Sequence, residues 1–455
     1  PVRDVGDLEG DEGEVVSEAR ILLGDCREVL RTLPAESVHC VVTSPPYWGL
    51  RSYGVPPLVW GGDPACEHEW INERTPRPNA GGGVNQLDGG EYRTATAVST
   101  EERASHATVC RCGAWKGDLG LEPTPDLWCA HLVELFREVR RVLRPDGTLW
   151  VNLGDCYAGS WGAQGRTGQM AERSVISARQ IEAHLQFGSR TGARGLGNGV
   201  KPKDLVGQPW LFAFAMRADG WYLRAENIWH KRSCMPESVT DRTTRAHEQV
   251  FMFTKAPTYF YDADAVREKD AGADHARTND LGPITSHVPG ASPHSAIRTP
   301  EGRNGAGRNM RSVWSLTSEP SKLAHFATFP TEIPRRAILA GTSARGACPA
   351  CGAPWERVTA CATGGTIGAS WHDHGADDEH GNFKTESSVG YASGKTLGWA
   401  PGCACYGVFV GYLNGAPVVP CVVLDPFAGS GTTAGVAERT GRAAVGIDLK
   451  PENVL

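Results

Sequence analysis

Three observations predict an α/β fold built on one open, mostly parallel sheet with helices on both faces. Short apolar runs alternate with segments of helical spacing along the 455 residues. A polar residue stands directly behind several of these runs, where open α/β sheets place their ligand contacts. A glycine-rich turn and a short helix join the last two runs, the local order of a nucleotide-binding unit.

Residues 1–18 are polar and acidic and read as a loose arm. Ile21–Leu23 is the first strand, with Asp25 just past it. Leu30 and Leu33 give the short helix that follows an inward side, and Val38–Val42 reads as the second strand. The clearest helix runs from Pro125 to Leu143, where Leu132, Leu135, Phe136, Val139 and Leu143 recur at helical spacing. Its Arg137, Arg140, Arg141 and Arg144 are expected on a solvated flank. Pro145–Asp146–Gly147 turns the chain into a strand at Thr148–Leu153. QPWLFAFAMRADGWYLRAENIWHK supplies a helix, a break at Gly220 and a strand; EQVFMFTK supplies another strand, and FPTEIPRRAILAGT another helix. Val422–Leu424 and Ala443–Ile447 bracket the glycine turn and the last helix. The glycine-rich, polar inserts between these elements lack a sustained period and are expected as loops or small modules on one edge of the sheet.

The net charge of -6 gives no global case for nucleic-acid binding, so any such surface must be local. No stretch reads as a transmembrane helix and the N-terminus lacks a signal sequence's apolar run, so a soluble protein with no membrane partner is expected. The 14 cysteines include several close pairs, which favours reduced thiols and metal sites over a disulfide framework. CPAC at Cys348 and Cys351, with CAC at Cys403 and Cys405, offers four soft ligands in two knuckles. CEH at Cys66 and His68, with CRC at Cys110 and Cys112, offers a second set. Two structural zinc ions follow, because inserts this poor in apolar residues have little else to fold on. His372, His374, His380 and Cys361 lie between the later pairs and leave that ligand set open. Cys26, Cys40, Cys129, Cys156, Cys234 and Cys421 sit in or beside apolar segments and read as core residues or bystanders.

In DPFAGSGTT, Gly429 and Gly431 let the backbone turn tightly and approach a ligand. The helix that follows offers unpaired N–H groups to an anion. Asp448 closes the next strand, where a carboxylate accepts from a ribose diol. No lysine precedes Thr432 and Thr433, and the full dinucleotide pattern is absent. The expected ligand is therefore a nucleoside with one small anion, and S-adenosylmethionine fits. In TSPPYW, the carbonyls of Pro45 and Pro46 and the Ser44 hydroxyl offer acceptors that suit an exocyclic amine. Tyr47 offers a ring face for stacking, and Trp48 is read as extending that wall.

TSPPYW resembles the catalytic motif of the amino-methylating DNA methyltransferases, and DPFAGSGTT resembles their cofactor motif. The catalytic motif comes first here and the cofactor motif last, which matches the beta arrangement of that family. The resemblance implies a Rossmann-like methyltransferase fold with a mixed seven-stranded sheet, one strand antiparallel. It implies catalytic roles for Ser44, Pro45, Pro46 and Tyr47 on a base flipped from the duplex. It also implies cofactor contacts from Asp25, Asp425, Phe427, Gly429, Gly431, Thr432 and Asp448. HFATFPTEIPRRAI resembles the segment closing over the methionine end, which adds His325, Phe326, Thr328 and Phe329. Serine in the motif's first position points to cytosine N4. Adenine N6 stays open, as does a zinc-containing DNA-binding protein that has lost catalysis.

The resemblance divides the chain into core segments at 19–60, 121–261 and 417–455, zinc-binding inserts at 61–120 and 346–416, a DNA-recognition region at 262–320 and a cofactor-closing segment at 321–345. Arg298, Arg303, Arg308 and Arg311 are candidates for phosphate or guanine contacts, with Lys231, Arg232, Arg242 and Arg245 as a second face. Double-stranded DNA is the implied partner. A homodimer, a cognate restriction endonuclease and a prokaryotic or phage-infected cytoplasm are further expectations of the family.

Overall fold

The computed structural model describes residues 18–49, 57–72, 108–158, 200–201, 203–234, 236–237, 239–268, 308–319, 329–362, 391–407 and 416–450. With strands numbered in chain order, the main sheet runs β1 (Ala19–Leu23), β14 (Ala443–Asp448), β13 (Val422–Asp425), β2 (Val38–Thr43), β7 (Leu143–Leu153), β9 (His247–Thr254), β8 (Tyr222–Lys231) and β10 (Val313–Leu316). Only β9 runs against its neighbours. The α/β class and the single antiparallel strand hold, but the sheet has eight strands rather than seven. The extra one, β10, has four residues, too few to show a period.

All six residues of β2 are buried, as a central strand covered on both faces requires. Helices α1 (Cys26–Thr32), α2 (Pro125–Val142) and α3 (Gln208–Ala218) contribute to one core, with Leu30, Leu132, Phe136 and Phe212 inside it. Helices α4 (Glu332–Gly341) and α5 (Thr432–Arg439) contribute to the other, around Ile333, Ile338, Val436 and Trp150. Thr124 caps α2 by accepting from Leu127 N at 3.3 Å, and Pro125 begins its first turn.

Of the arginines of α2 and its exit, Arg137 is exposed as expected, whereas Arg141 and Arg144 are held against the protein. Arg141 donates to Leu30 O at 2.6 Å and Leu33 O at 3.0 Å, satisfying the end of α1. Arg137 pairs with Asp219, and Arg144 with Asp146. The described parts of the inserts form small modules. Four short strands make an antiparallel sheet in the order β3 (Leu58–Trp60), β6 (Trp115–Gly117), β5 (Thr108–Cys110), β4 (Trp70–Asn72). Strands β11 (Trp355–Ala362) and β12 (Tyr391–Pro401) form a hairpin. Three-residue strands carry no readable alternation, so the sequence pattern missed the first sheet.

Candidate active site and metal clusters

The parallel strands end together on one edge, and β9 begins there. Val423 stands opposite Cys40 and Leu424 opposite Val41, which brings Asp425 level with the end of β2. Thr43 Oγ1 donates to Asp425 Oδ1 at 2.6 Å, Thr433 Oγ1 donates to Oδ2 at 2.8 Å, and Phe427 N–H donates to Oδ1 at 3.0 Å. One carboxylate thus ties the catalytic strand to the glycine turn and to α5. Burial pushes its pKa up to about 6 against the pull of these donors. Asp425 is 3 % exposed, and these three internal donors hold its carboxylate.

Gly429 (φ 51°) and Gly431 (φ 73°) take left-handed conformations that disfavour side chains. Gly429 N–H donates to Asp448 Oδ2 at 2.8 Å, and Lys450 N–H donates to Oδ1 at 2.8 Å. These bonds orient the Asp448 carboxylate at the end of β14. The N-terminus of α5 has no side-chain cap, so its first-turn N–H groups are available to a carboxylate. Beneath the turn, a Cβ on Gly446 would come within 2.4 Å of Ile21 and 2.8 Å of Ala428. An amino-acid nucleoside fits this donor and acceptor set. Asp25 caps α1 through Arg27 N–H at 2.9 Å and pairs with the Arg27 guanidinium at 2.6 Å, so its oxygens are already partnered.

The proline-bounded loop is held from several sides. Trp128 Nε1 donates to Pro46 O at 2.9 Å, which corrects the expectation that this carbonyl is free; no donor among the described residues reaches the Pro45 carbonyl. Trp48 is not a stacking wall. It is 2 % exposed, its N–H donates to Gln208 Oε1 at 2.9 Å, and its Nε1 donates to Glu122 O at 2.9 Å. Ser44 is half-buried, and its Oγ donates to Tyr47 Oη at 3.2 Å. Tyr47 Oη donates to Glu248 Oε2 at 2.9 Å and accepts from Asn152 Nδ2 at 2.6 Å. Asn152 also donates to Glu248 Oε2 at 2.7 Å, and Lys231 pairs with the other oxygen of Glu248.

Asn152 and Glu248 escaped the sequence reading. The signal was their placement, one near the end of β7 and the other at the start of the antiparallel β9. Gly154 completes the mouth, since a Cβ there would stand 2.8 Å from the Tyr47 ring.

The basic candidates fall into different settings. Lys231 pairs with Glu248 and lies 4.6 Å from the Trp229 ring. Arg242 pairs with Glu237 and stacks on Tyr157 at 3.7 Å. Arg245 is largely buried against Asp155 at 3.4 Å, and Asp155 in turn accepts from Gly207 and Gln208 N–H at the start of α3. Arg232 is exposed. Arg308 and Arg311 share Glu268, at 3.2 and 2.7 Å. Phe329 is half-buried against the core of α4. His325, Phe326, Thr328, Arg298, Arg303 and most of the 262–320 region lie outside the described residues, as do His372, His374 and His380.

Both sets of metal ligands come together as read. The ligand atoms of Cys66, His68, Cys110 and Cys112 all lie within 4.8 Å of one another, and so do those of Cys348, Cys351, Cys403 and Cys405. Cys66 Sγ and Cys110 Sγ are 3.8 Å apart, and Cys112 Sγ is 3.4 Å from His68 Nδ1. A tetrahedral ion with Zn–S bonds of about 2.3 Å requires sulfurs about 3.8 Å apart. Backbone N–H groups of Ala114 and Asp63 hold the Cys112 thiol down to about 6, which favours the thiolate a metal needs. The second cluster's knuckle lies against the starts of the central strands β2 and β7, and the small sheet of the first packs on α1 and α2. Among the described residues, no helix is long and apolar enough to cross a membrane.

Comparison with known proteins gives the family. The family model described as DNA methylase matches residues 38–348 and 421–455. The Type II methyltransferase M.Cfr9I of Citrobacter freundii is 35% identical over 324 residues, which cover 71% of this chain and 73% of that protein. The Type II methyltransferase M.SmaI of Serratia marcescens is 32% identical over 323 residues, covering 71% and 75%. A solved PvuII DNA methyltransferase, cytosine-N4-specific, aligns with a TM-score of 0.42 and 14% identity, covering 97% of this chain and 85% of that one. With β2 and the C-terminal glycine turn tied together through Asp425, the chain belongs to the beta-class family of amino-methylating DNA methyltransferases, S-adenosylmethionine-dependent enzymes that act on double-stranded DNA.

Proposed function

We propose that the chain transfers a methyl group to the exocyclic N4 amine of a cytosine flipped from duplex DNA. The observation that carries this reading is Ser44, one residue past the Thr43–Asp425 tie, beside a Pro45 carbonyl to which no described residue donates. An amine has two protons to donate, and Ser44 Oγ and Pro45 O are two acceptors in sequence. Drawing both protons into these bonds takes the nitrogen lone pair out of conjugation with the ring and aims it at the methyl. Tyr47 offers a ring face for the base, its hydroxyl held by Glu248 and Asn152.

The cofactor supplies an electrophilic methyl on sulfur. The chain's residues supply alignment and fixed dipoles. Gly429 and Gly431 admit the ligand's backbone, the α5 N–H groups hold its carboxylate, and Asp448 accepts from its ribose. Phe329 lines the approach to the methionine end. Attack on a ring carbon is not part of this route, so no cysteine nucleophile is required.

Zinc is the ion proposed for both Cys/His clusters, on the strength of ligand type and spacing. Arg232, Arg308 and Arg311, the more exposed of the basic candidates, are proposed to meet the DNA backbone. The Type II designation of the relatives supports pairing with a restriction endonuclease of the same recognition sequence. Incubation with labelled S-adenosylmethionine and mixed-sequence duplex DNA, followed by nucleoside mass analysis, tests the reading. N4-methylcytosine is expected. N6-methyladenine would move the activity to the other amine, and 5-methylcytosine alone would refute the amine mechanism.

A further inference from the structure

The two metal clusters differ in what they hold. The second reaches the starts of β2 and β7, away from the mouth. His39 Nδ1 accepts from Val422 N–H at 3.0 Å, so Nε2 carries the proton and donates to Gly352 O at 2.8 Å. Arg144 Nη1 donates to Cys351 O at 2.9 Å. These contacts fasten the knuckle to the base of the sheet.

The sheet of the first cluster connects, through α2, to the loop that follows β2. Its sheet is made of four three-residue strands, too short to persist unaided in water. That sheet presents two buried tryptophans, Trp60 and Trp115, and between them lies the imidazole of His131 from α2. The centroid separations are 5.3 and 5.6 Å, with interplanar angles of 25° and 21°. His131 Nδ1 lies 3.0 Å from Glu122 Oε1, and both side chains are buried. Glu122 Oε2 accepts from Gly120 N–H at 2.8 Å, and its carbonyl accepts from Trp48 Nε1. Gly120 O accepts from Gly49 N–H at 2.7 Å, and a Cβ on Gly120 would stand 2.9 Å from Tyr47 O. On the other flank, Arg27 stacks on Trp60 at 3.9 Å, donates to Val59 O at 2.7 Å and holds Asp25.

We infer that the ion at Cys66, His68, Cys110 and Cys112 is a positioning element for the catalytic loop. By closing the small sheet it sets Trp60 and Trp115 against His131, and Glu122 passes that placement to Trp48 and Gly49, the two residues after Tyr47. The ion at Cys348, Cys351, Cys403 and Cys405 serves stability at the base of the sheet. This inference rests on the zinc reading of both clusters, and metal content is therefore measured first.

The full chain and the variants Cys112→Ser, Cys351→Ser and Glu122→Gln are compared by metal mass spectrometry, near-ultraviolet circular dichroism and single-turnover methylation. Two zinc ions are expected in the parent and in Glu122→Gln, and one in each cysteine variant. Cys112→Ser is expected to lose much of the tryptophan dichroism and about 100-fold in the methylation rate, the scale of an ångström's misplacement. Cys351→Ser is expected to melt earlier while keeping a methylation rate close to the parent's, although the buried Trp355 beside that cluster changes its dichroism too. Glu122→Gln, which leaves both metal sites and the packing intact, is expected to lose roughly tenfold in rate with unchanged zinc. No zinc in the parent would overturn the zinc reading itself. Two zinc ions with a parent-like rate in Glu122→Gln, or equal loss of methylation rate in the two cysteine variants, would overturn the positioning role alone.

Discussion

Tyr47 Oη and Glu248 Oε2 meet at 2.9 Å, joining the loop after β2 to the start of the antiparallel β9. Asn152 bridges the same pair, and Lys231 neutralises the far oxygen. The ring on which the proposed base stacks is thus anchored by a charge-assisted bond rather than by packing alone. Glu248→Gln should lower the single-turnover methylation rate about tenfold and leave S-adenosylmethionine affinity by calorimetry unchanged. Weakened cofactor affinity with an unchanged rate would place Glu248 on the other side of the cleft.

Gly154 gives a steric test of the same mouth. A methyl group there would sit 2.8 Å from the Tyr47 ring and 3.2 Å from the Glu248 carboxylate. Gly154→Ala should cost on the order of 100-fold in rate by shifting the ring, with a thermal midpoint close to the parent's. A parent-like rate would show that the ring's position is not limiting.

The Asp425 tie makes a prediction about pH. Its folded pKa of about 6 lies above its ordinary value of 3.8. Between these values the folded chain binds a proton that the unfolded chain has released. Stability from this group is therefore greatest below about pH 4 and falls as pH rises through about 6, by on the order of 3 kcal/mol at most. Asp425→Asn should remove that fall, so the unfolding free energy of the parent minus that of the variant should decrease between pH 4 and 6. A flat difference in urea titrations across that window would contradict the assignment.

Thr43→Val deletes one donor to a buried carboxylate without changing shape. It should cost roughly 1–3 kcal/mol in unfolding free energy. A cost near zero would mean that Thr433 and Phe427 suffice.

Much of this was legible in the chain. The apolar runs around Val41, Leu149 and Leu424 announced central strands because both faces of the sheet are covered. The glycine turn and the four cysteine-bearing knuckles were legible because their chemistry is local. What was not legible depends on register. Asn152 and Glu248 become partners only when β9 runs antiparallel beside β7, and Trp48 turns inward only because Gln208 and Glu122 receive it. Likewise the internal donors to Asp425 appear only when the β2–β13 pairing brings Thr43 against it. Arg141 reads as solvated until α1 ends beneath it.

The central claim is that one mouth holds the target amine at Ser44 and the cofactor's methyl-bearing end by the glycine turn. The most direct test is a crystal structure of the chain with a non-reactive cofactor analogue and a cognate duplex. It should show the flipped base nitrogen within hydrogen-bonding distance of Ser44 Oγ and Pro45 O, with the analogue's ribose on Asp448. An analogue bound away from Gly429 and Gly431, or a flipped base that does not reach Ser44, would contradict the account.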